Sequence, residues 1–97
     1  MAKTPRRRRT RAPTASNYQA TFTPKRSHEE PTVRTSLPRP PAGMLTGRLS
    51  AATAWVEKTL GVDMEEGSRI EVLGAGRVRV RPRWSVYEYI TIEPMEG

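Results

Sequence analysis

From residue 45 onward the hydrophobic positions fall into periods that assign their own elements. Ala52, Trp55, Val56, Thr59 and Leu60 recur at helical spacing, with Ser50 placed to cap the N-terminus and Gly61 the C-terminus, so the pattern predicts a helix over Ala51 to Leu60. The period then changes to two. Ile70 and Val72 alternate with Arg69 and Glu71, Gly74-Ala75-Gly76 supplies a turn, and Val78 and Val80 alternate with Arg77, Arg79 and Arg81. This is a β-hairpin pattern. Pairing Val72 with Val78 and Ile70 with Val80 puts four aliphatic side chains on one face and sets Glu71 opposite Arg79 on the other. Beyond Pro82, Trp84, Val86, Ile90 and Ile92 share one parity and Tyr87, Tyr89, Thr91 and Glu93 the other, which predicts a further long strand ending at Pro94. Leu45 to Leu49 reads as a short opening strand. Trp55, the largest apolar residue of the helix face, is expected to bury against Val72, Val78 and Trp84.

The first 44 residues read differently. Seven of the nine prolines lie there, and between Pro5 and Gly43 the large apolar side chains are Tyr18, Phe22, Val33 and Leu37. So few cannot offset the ordering entropy of the segment, and an extended, polyproline-like arm is expected. Within it, His28, Glu29 and Glu30 form an exposed turn before Pro31, and Pro38-Arg39-Pro40-Pro41 forms a stiff spacer. The expected organisation is an arm over 1–44 and a small domain over 45–97. Its fold class is mainly β with one short helix, a small barrel-like domain preceded by an extended basic arm, or the swapped-hairpin domain that the resemblance given below implies.

Charge divides the chain in the same place. Residues 1–44 carry ten Lys and Arg against two Glu, a net +8, whereas residues 45–97 carry seven against eight acids, a net −1. A cationic arm on a balanced body points to an anionic partner, because Lys and Arg that neutralise phosphates release condensed counterions. The densest cluster is Lys3, Arg6, Arg7, Arg8, Arg9 and Arg11; Lys25 and Arg26 extend it, and Tyr18 and Phe22 are placed to stack on bases. In the body, Arg77, Arg79, Arg81 and Arg83 recur at alternate positions and would present four guanidiniums from one strand face, a nucleic-acid groove or an ordinary solvated face.

Other chemistries are limited by composition. With no Cys and one His, zinc ligation and thiol catalysis lack ligands, and neither a metal nor a cofactor is expected. His28 beside Glu29 has no cleft to position a substrate, so no catalytic residue is assigned. The glycines at 74 and 76 lack the following helix and Lys-Ser/Thr pair of a phosphate loop. No run approaches the about eighteen apolar residues of a membrane span, and Pro5, Pro13 and Pro24 interrupt the amphipathic helix a transit peptide would need. The expected location is cytoplasmic, nucleoid-associated or within a particle.

Thr59-Leu60-Gly61-Val62, Glu66-Gly67-Ser68-Arg69-Ile70-Glu71-Val72 and Gly76-Arg77-Val78-Arg79-Val80-Arg81-Pro82 together resemble the second half of the AbrB/MazE swapped-hairpin domain. Leu45-Thr46-Gly47-Arg48 and Trp55-Val56-Glu57 are similar to the signature of SymE-type toxins within that group. The resemblance covers about residues 45–82 and implies a dimer with interleaved hairpins that binds DNA; RNA cleavage is ascribed to the SymE branch, but no nuclease constellation is present in this sequence. Two function classes follow. One is a nucleic-acid-binding protein, for DNA or RNA, in which the arm holds phosphates and the small domain dimerises or positions it. The other is a structural assembly protein, a virion or ribosome-like component whose arm threads between neighbouring subunits through Tyr18, Phe22, Val33 and Leu37. The marginal core of so short a chain suits a homodimer or docking on a larger assembly in either case.

Overall fold

The computed structural model describes residues 17–95. Five strands, β1 (Tyr18–Pro24), β2 (Thr32–Leu37), β3 (Arg69–Gly74), β4 (Arg77–Arg81) and β5 (Tyr87–Pro94), form one open antiparallel sheet in the order β2-β1-β5-β4-β3. Between β2 and β3 lie a one-turn helix α1 (Ala42–Leu45) and a helix α2 (Leu49–Trp55) that continues as a π-helical turn over Val56–Leu60. The domain is mainly β with a short helical layer on one face.

The boundary expected at residue 44 does not hold among the described residues, because β1 and β2 are built from the segment read as an arm. Tyr18, Ala20 and Phe22 alternate with Gln19, Thr21 and Thr23, and the first three are buried while the others face away. A strand with one buried face needs only three such side chains, so counting apolar residues over the whole segment underestimated it. Leu37, Pro40 and Met44 are also buried, so the Pro-rich connection runs along the core instead of spacing the arm from it. The turn at His28 and Glu29 is exposed as expected.

One side of the sheet carries the core. Ala20, Val78, Val80, Ile90 and Ile92 are fully buried and meet Ala52, Val56 and Leu60 from the helical layer. The helix begins earlier than expected: Arg48 occupies the N-cap position, and Ser50 lies inside the first turn. It ends as expected at Gly61, whose φ of 71° is a left-handed conformation that glycine adopts without steric cost. Arg34 from β2 donates to the Thr59 carbonyl at 3.2 Å, satisfying a free acceptor at the negative end of the helix. The Glu57 carboxylate accepts from the Met64 backbone N–H at 3.0 Å and folds the following loop back so that Met64 is buried. Leu45 to Leu49 is not a strand: α1 occupies its start, and a turn leads from there into α2.

Trp55 is buried, 8% exposed, but two of its expected neighbours are not, since Val72 is 52% and Trp84 72% exposed. Val72 belongs to the edge strand β3, where the Gly47 turn between the helices approaches its side chain but leaves it half exposed, and Trp84 lies in a turn before β5 begins. The hairpin register is the expected one, with Ile70 opposite Val80, Glu71 opposite Arg79 and Val72 opposite Val78. The charge pair is not: Glu71 reaches diagonally to Arg81 at 3.3 Å. A register shift lies between Thr23 and Pro24, across from Glu88. It breaks the expected parity of β5 and brings the Tyr87 ring to 5.1 Å from Phe22 on the core side.

Two expectations concern stability. Trp55→Ala removes the largest side chain of the helical layer and should cost about 3–5 kcal/mol, a large share of what a domain this small has, so cooperative thermal unfolding followed by circular dichroism should be lost. The Trp55 indole N–H has no acceptor among the described residues, so its contribution comes from apolar burial, and Trp55→Phe should still melt cooperatively. At the hairpin turn Ala75 sits at φ 56°, a conformation costly for a residue with a Cβ. Ala75→Asn should raise stability by about 0.5–1 kcal/mol in chemical denaturation; an unchanged midpoint would mean that this turn relaxes in solution.

Candidate functional site

The helices cover one face of the sheet, and alternation sends the side chains between the core positions to the other. On that face Arg79 projects from β4 with its guanidinium 4.4 Å from the centre of the Tyr89 ring of β5, and Arg81 approaches the same ring at 5.3 Å. Arg81 also meets Glu71 at 3.3 Å and Glu88 at 3.6 Å. These two contacts are the ion pairs found among the described residues, and both belong to Arg81. Lys25, Arg26, Arg77, Arg79 and Arg83 therefore have no acidic partner within ion-pair distance among the described residues.

At one end of the face two turns meet. The Lys25 backbone N–H donates to the Val86 carbonyl at 2.9 Å, joining the β1–β2 turn to the turn between β4 and β5. Lys25, Arg26, Glu29 and Val86 line a groove of ≈ 360 Å³ between them. On the other side of the β4–β5 turn, the Arg83 backbone N–H donates to the hydroxyl of Ser68 at 2.9 Å, and Ser68 is itself buried. Gly67 has φ 97°, and a Cβ there would fall 2.5 Å from the Arg83 side chain, so the glycine leaves room for Arg83 to lie across the turn. The Arg83 guanidinium sits 4.8 Å from the centre of the Trp84 ring. Trp84 and Val86 project into solvent, 72% and 71% exposed.

The expected site residues thus separate into three groups. Lys3, Arg6, Arg7, Arg8, Arg9 and Arg11 lie outside the described residues. Arg77, Arg79 and Arg81 share the open face, with Arg81 largely neutralised. Lys25 and Arg26 are brought to the same end of the sheet as Arg83, which lies beyond Pro82 and off the strand, so the four guanidiniums expected on one strand face are three. Tyr18 and Phe22 are not available to stack on bases, because both are buried in the core. Two residues were missed: Trp84 as an exposed aromatic and Tyr89 as the ring that orders two arginines. The signal for Trp84 was the turn-forming run Pro82-Arg83-Trp84-Ser85, in which Pro82 and Ser85 interrupt an otherwise strand-like alternation.

Among the described residues no cluster of His, Asp or Glu suits a metal ion, and no helix is long and apolar enough to cross a membrane. Comparison with protein families, with curated proteins and with solved structures finds no match.

Ser68 is the anchor of the Trp84 turn. Ser68→Ala leaves the Arg83 N–H without its acceptor and should cost about 1 kcal/mol of stability, together with faster hydrogen exchange at the Arg83 amide. Exchange at Val78 and Val80, deep in the sheet, should slow or quicken only with global stability. Equal protection of Arg83 in both proteins would show that the turn is held by something else.

Proposed function

We propose that the protein binds nucleic acid through the open face of the sheet and the turns at its end. The observation that carries this reading is the clustering of cationic side chains, Arg77 and Arg79 on the open face and Lys25, Arg26 and Arg83 in the turns at its end beside the exposed Trp84, none of them ion-paired among the described residues. Exposed ion pairs contribute little to stability, so leaving these groups unpaired costs the fold little and keeps their charge for phosphates. Arg79 and Arg81 rest against Tyr89, which limits the freedom they would lose on binding. The basic run Arg6 to Arg9 adds sequence-independent attraction. In the AbrB-like arrangement the hairpins of two copies interleave; here β4 pairs with β3 and β5 of its own chain, so a homodimer would form at a sheet edge.

A second reading, a structural assembly protein, is favoured by the two sheet edges, β2 and β3, which carry exposed Val33 and Val72. Its original form is weakened, because Tyr18, Phe22 and Leu37 are used inside the core and cannot thread between subunits.

Affinity for single-stranded and duplex DNA and for RNA, measured across a salt series, tests the first reading. The wild type should show log K falling linearly with log salt, and each phosphate contact removed should flatten the slope by about 0.7–0.9. A variant with Lys25, Arg26, Arg79 and Arg83 changed to Gln should therefore lose about three units of slope, and a separate Arg6 to Arg9 variant reports the arm alone. A flat wild-type profile excludes the electrostatic mechanism. Sedimentation of the protein without nucleic acid separates the second reading: assembly that is independent of nucleic acid and is lost on Val72→Lys would favour it.

A further inference from the structure

We infer that the Trp84 turn is a stacking platform for an unpaired nucleobase, so that the site prefers single-stranded nucleic acid to duplex; this rests on the nucleic-acid reading above. Trp84 is unlike the other large aromatic side chains of the described residues. Trp55, Tyr18 and Phe22 are buried, Tyr87 packs on Phe22, and Tyr89 is covered by Arg79 and Arg81. Trp84 alone presents most of its surface to solvent, at 72%. Arg83 lies over the indole ring, and even so 72% of the Trp84 surface stays open to solvent.

The turn is also held in place. Arg83 is tied to Ser68 at 2.9 Å, the Ser85 hydroxyl accepts from the Tyr87 N–H at 3.1 Å, and the Val86 carbonyl accepts from Lys25 at 2.9 Å. An exposed indole fixed at both flanks is pre-organised, so a planar ligand that stacks on it does not have to order a flexible loop. Lys25 and Arg26 stand beside Val86, where they can hold the phosphates on either side of a stacked base, and Val86 offers apolar surface to the sugar. Glu29 is the one acid lining the groove between the turns.

This chemistry selects unpaired nucleotides. In a duplex both faces of each internal base are already stacked on neighbours, and reaching one requires unstacking it. A single strand presents free π-faces of every base, and aromatic stacking tolerates all four. Cations on both sides and an exposed aromatic ring fit a strand of alternating phosphates and bases; an apolar protein surface would leave Lys25, Arg26 and Arg83 without partners.

The test is a fluorescence titration of the full chain with oligo(dT), with a duplex of equal length as the second ligand. Oligo(dT) should quench the emission of Trp84, while buried Trp55 gives a constant background. Trp84→Ala should weaken oligo(dT) binding about tenfold or more and duplex binding by far less, keep the slope of log K against log salt, and melt at the wild-type temperature because the side chain is exposed. Trp84→Phe, which keeps a ring, should restore most of the loss. If wild type and Trp84→Ala bind oligo(dT) equally, the platform is wrong while the electrostatic reading stands. If duplex binding falls as much as single-strand binding, the indole acts without selecting unpaired bases and the inference is overturned. A wild-type protein that binds neither ligand overturns both, and capture of a protein partner that Trp84→Ala releases would assign the turn to protein docking instead.

Discussion

The pairing of β1 with β5 is the contact on which the rest of this structure depends. It runs the full length of β1, from Tyr18 opposite Pro94 to Pro24 opposite Tyr87, and it joins two pieces that are each incomplete. The β1–β2 hairpin alone is a two-stranded ribbon, marginal in water; the β3–β4–β5 meander alone would expose the flank of Ile90 and Ile92 that Ala20 and Phe22 cover. Bringing the strands together closes a long loop, but closure entropy grows only logarithmically with loop length, and the pairing buries a continuous apolar strip in return. The same pairing places the β1–β2 turn beside the β4–β5 turn, so the candidate site is a product of the contact that completes the core.

Irregularities in the strands set the geometry of that site. The shift at Thr23 and Pro24 turns Tyr87 inward onto Phe22 and leaves Glu88 on the open face, where it shares Arg81 with Glu71. One arginine thus takes up two carboxylates, and its neighbours on β4 and in the turn have no ion pair among the described residues. Tyr89 between Arg79 and Arg81 orders both guanidiniums through its ring face without consuming their hydrogen-bond donors. Pro82 ends β4, since it has no N–H to offer a neighbouring strand, and the chain leaves the sheet just where Arg83 and Trp84 follow. Their exposure is a consequence of that exit and of the Ser68 anchor beneath it.

Local periodicity by itself determined the helix face, its stop at Gly61, the β3–β4 hairpin register and the mainly β class, because each depends on neighbours within about a dozen residues. Ala52, Trp55, Val56 and Leu60 are buried as their spacing requires, and Val78 and Val80 as theirs does. What tertiary structure decided was everything resting on a distant partner. Tyr18, Ala20 and Phe22 are too few to specify a strand alone, and they became one only because β5 offered an unpaired edge and Ile90 and Ile92 an uncovered strip. Val72 and Trp84 carried the same apolar signal as their buried neighbours, yet edge position exposed the first and a turn the second, since alternation reports which face a side chain takes and not whether anything covers that face. The basic residues of the candidate site were legible as residues; which of them meet, which are neutralised and which aromatic stands among them followed from strand order, a quantity no local pattern contains.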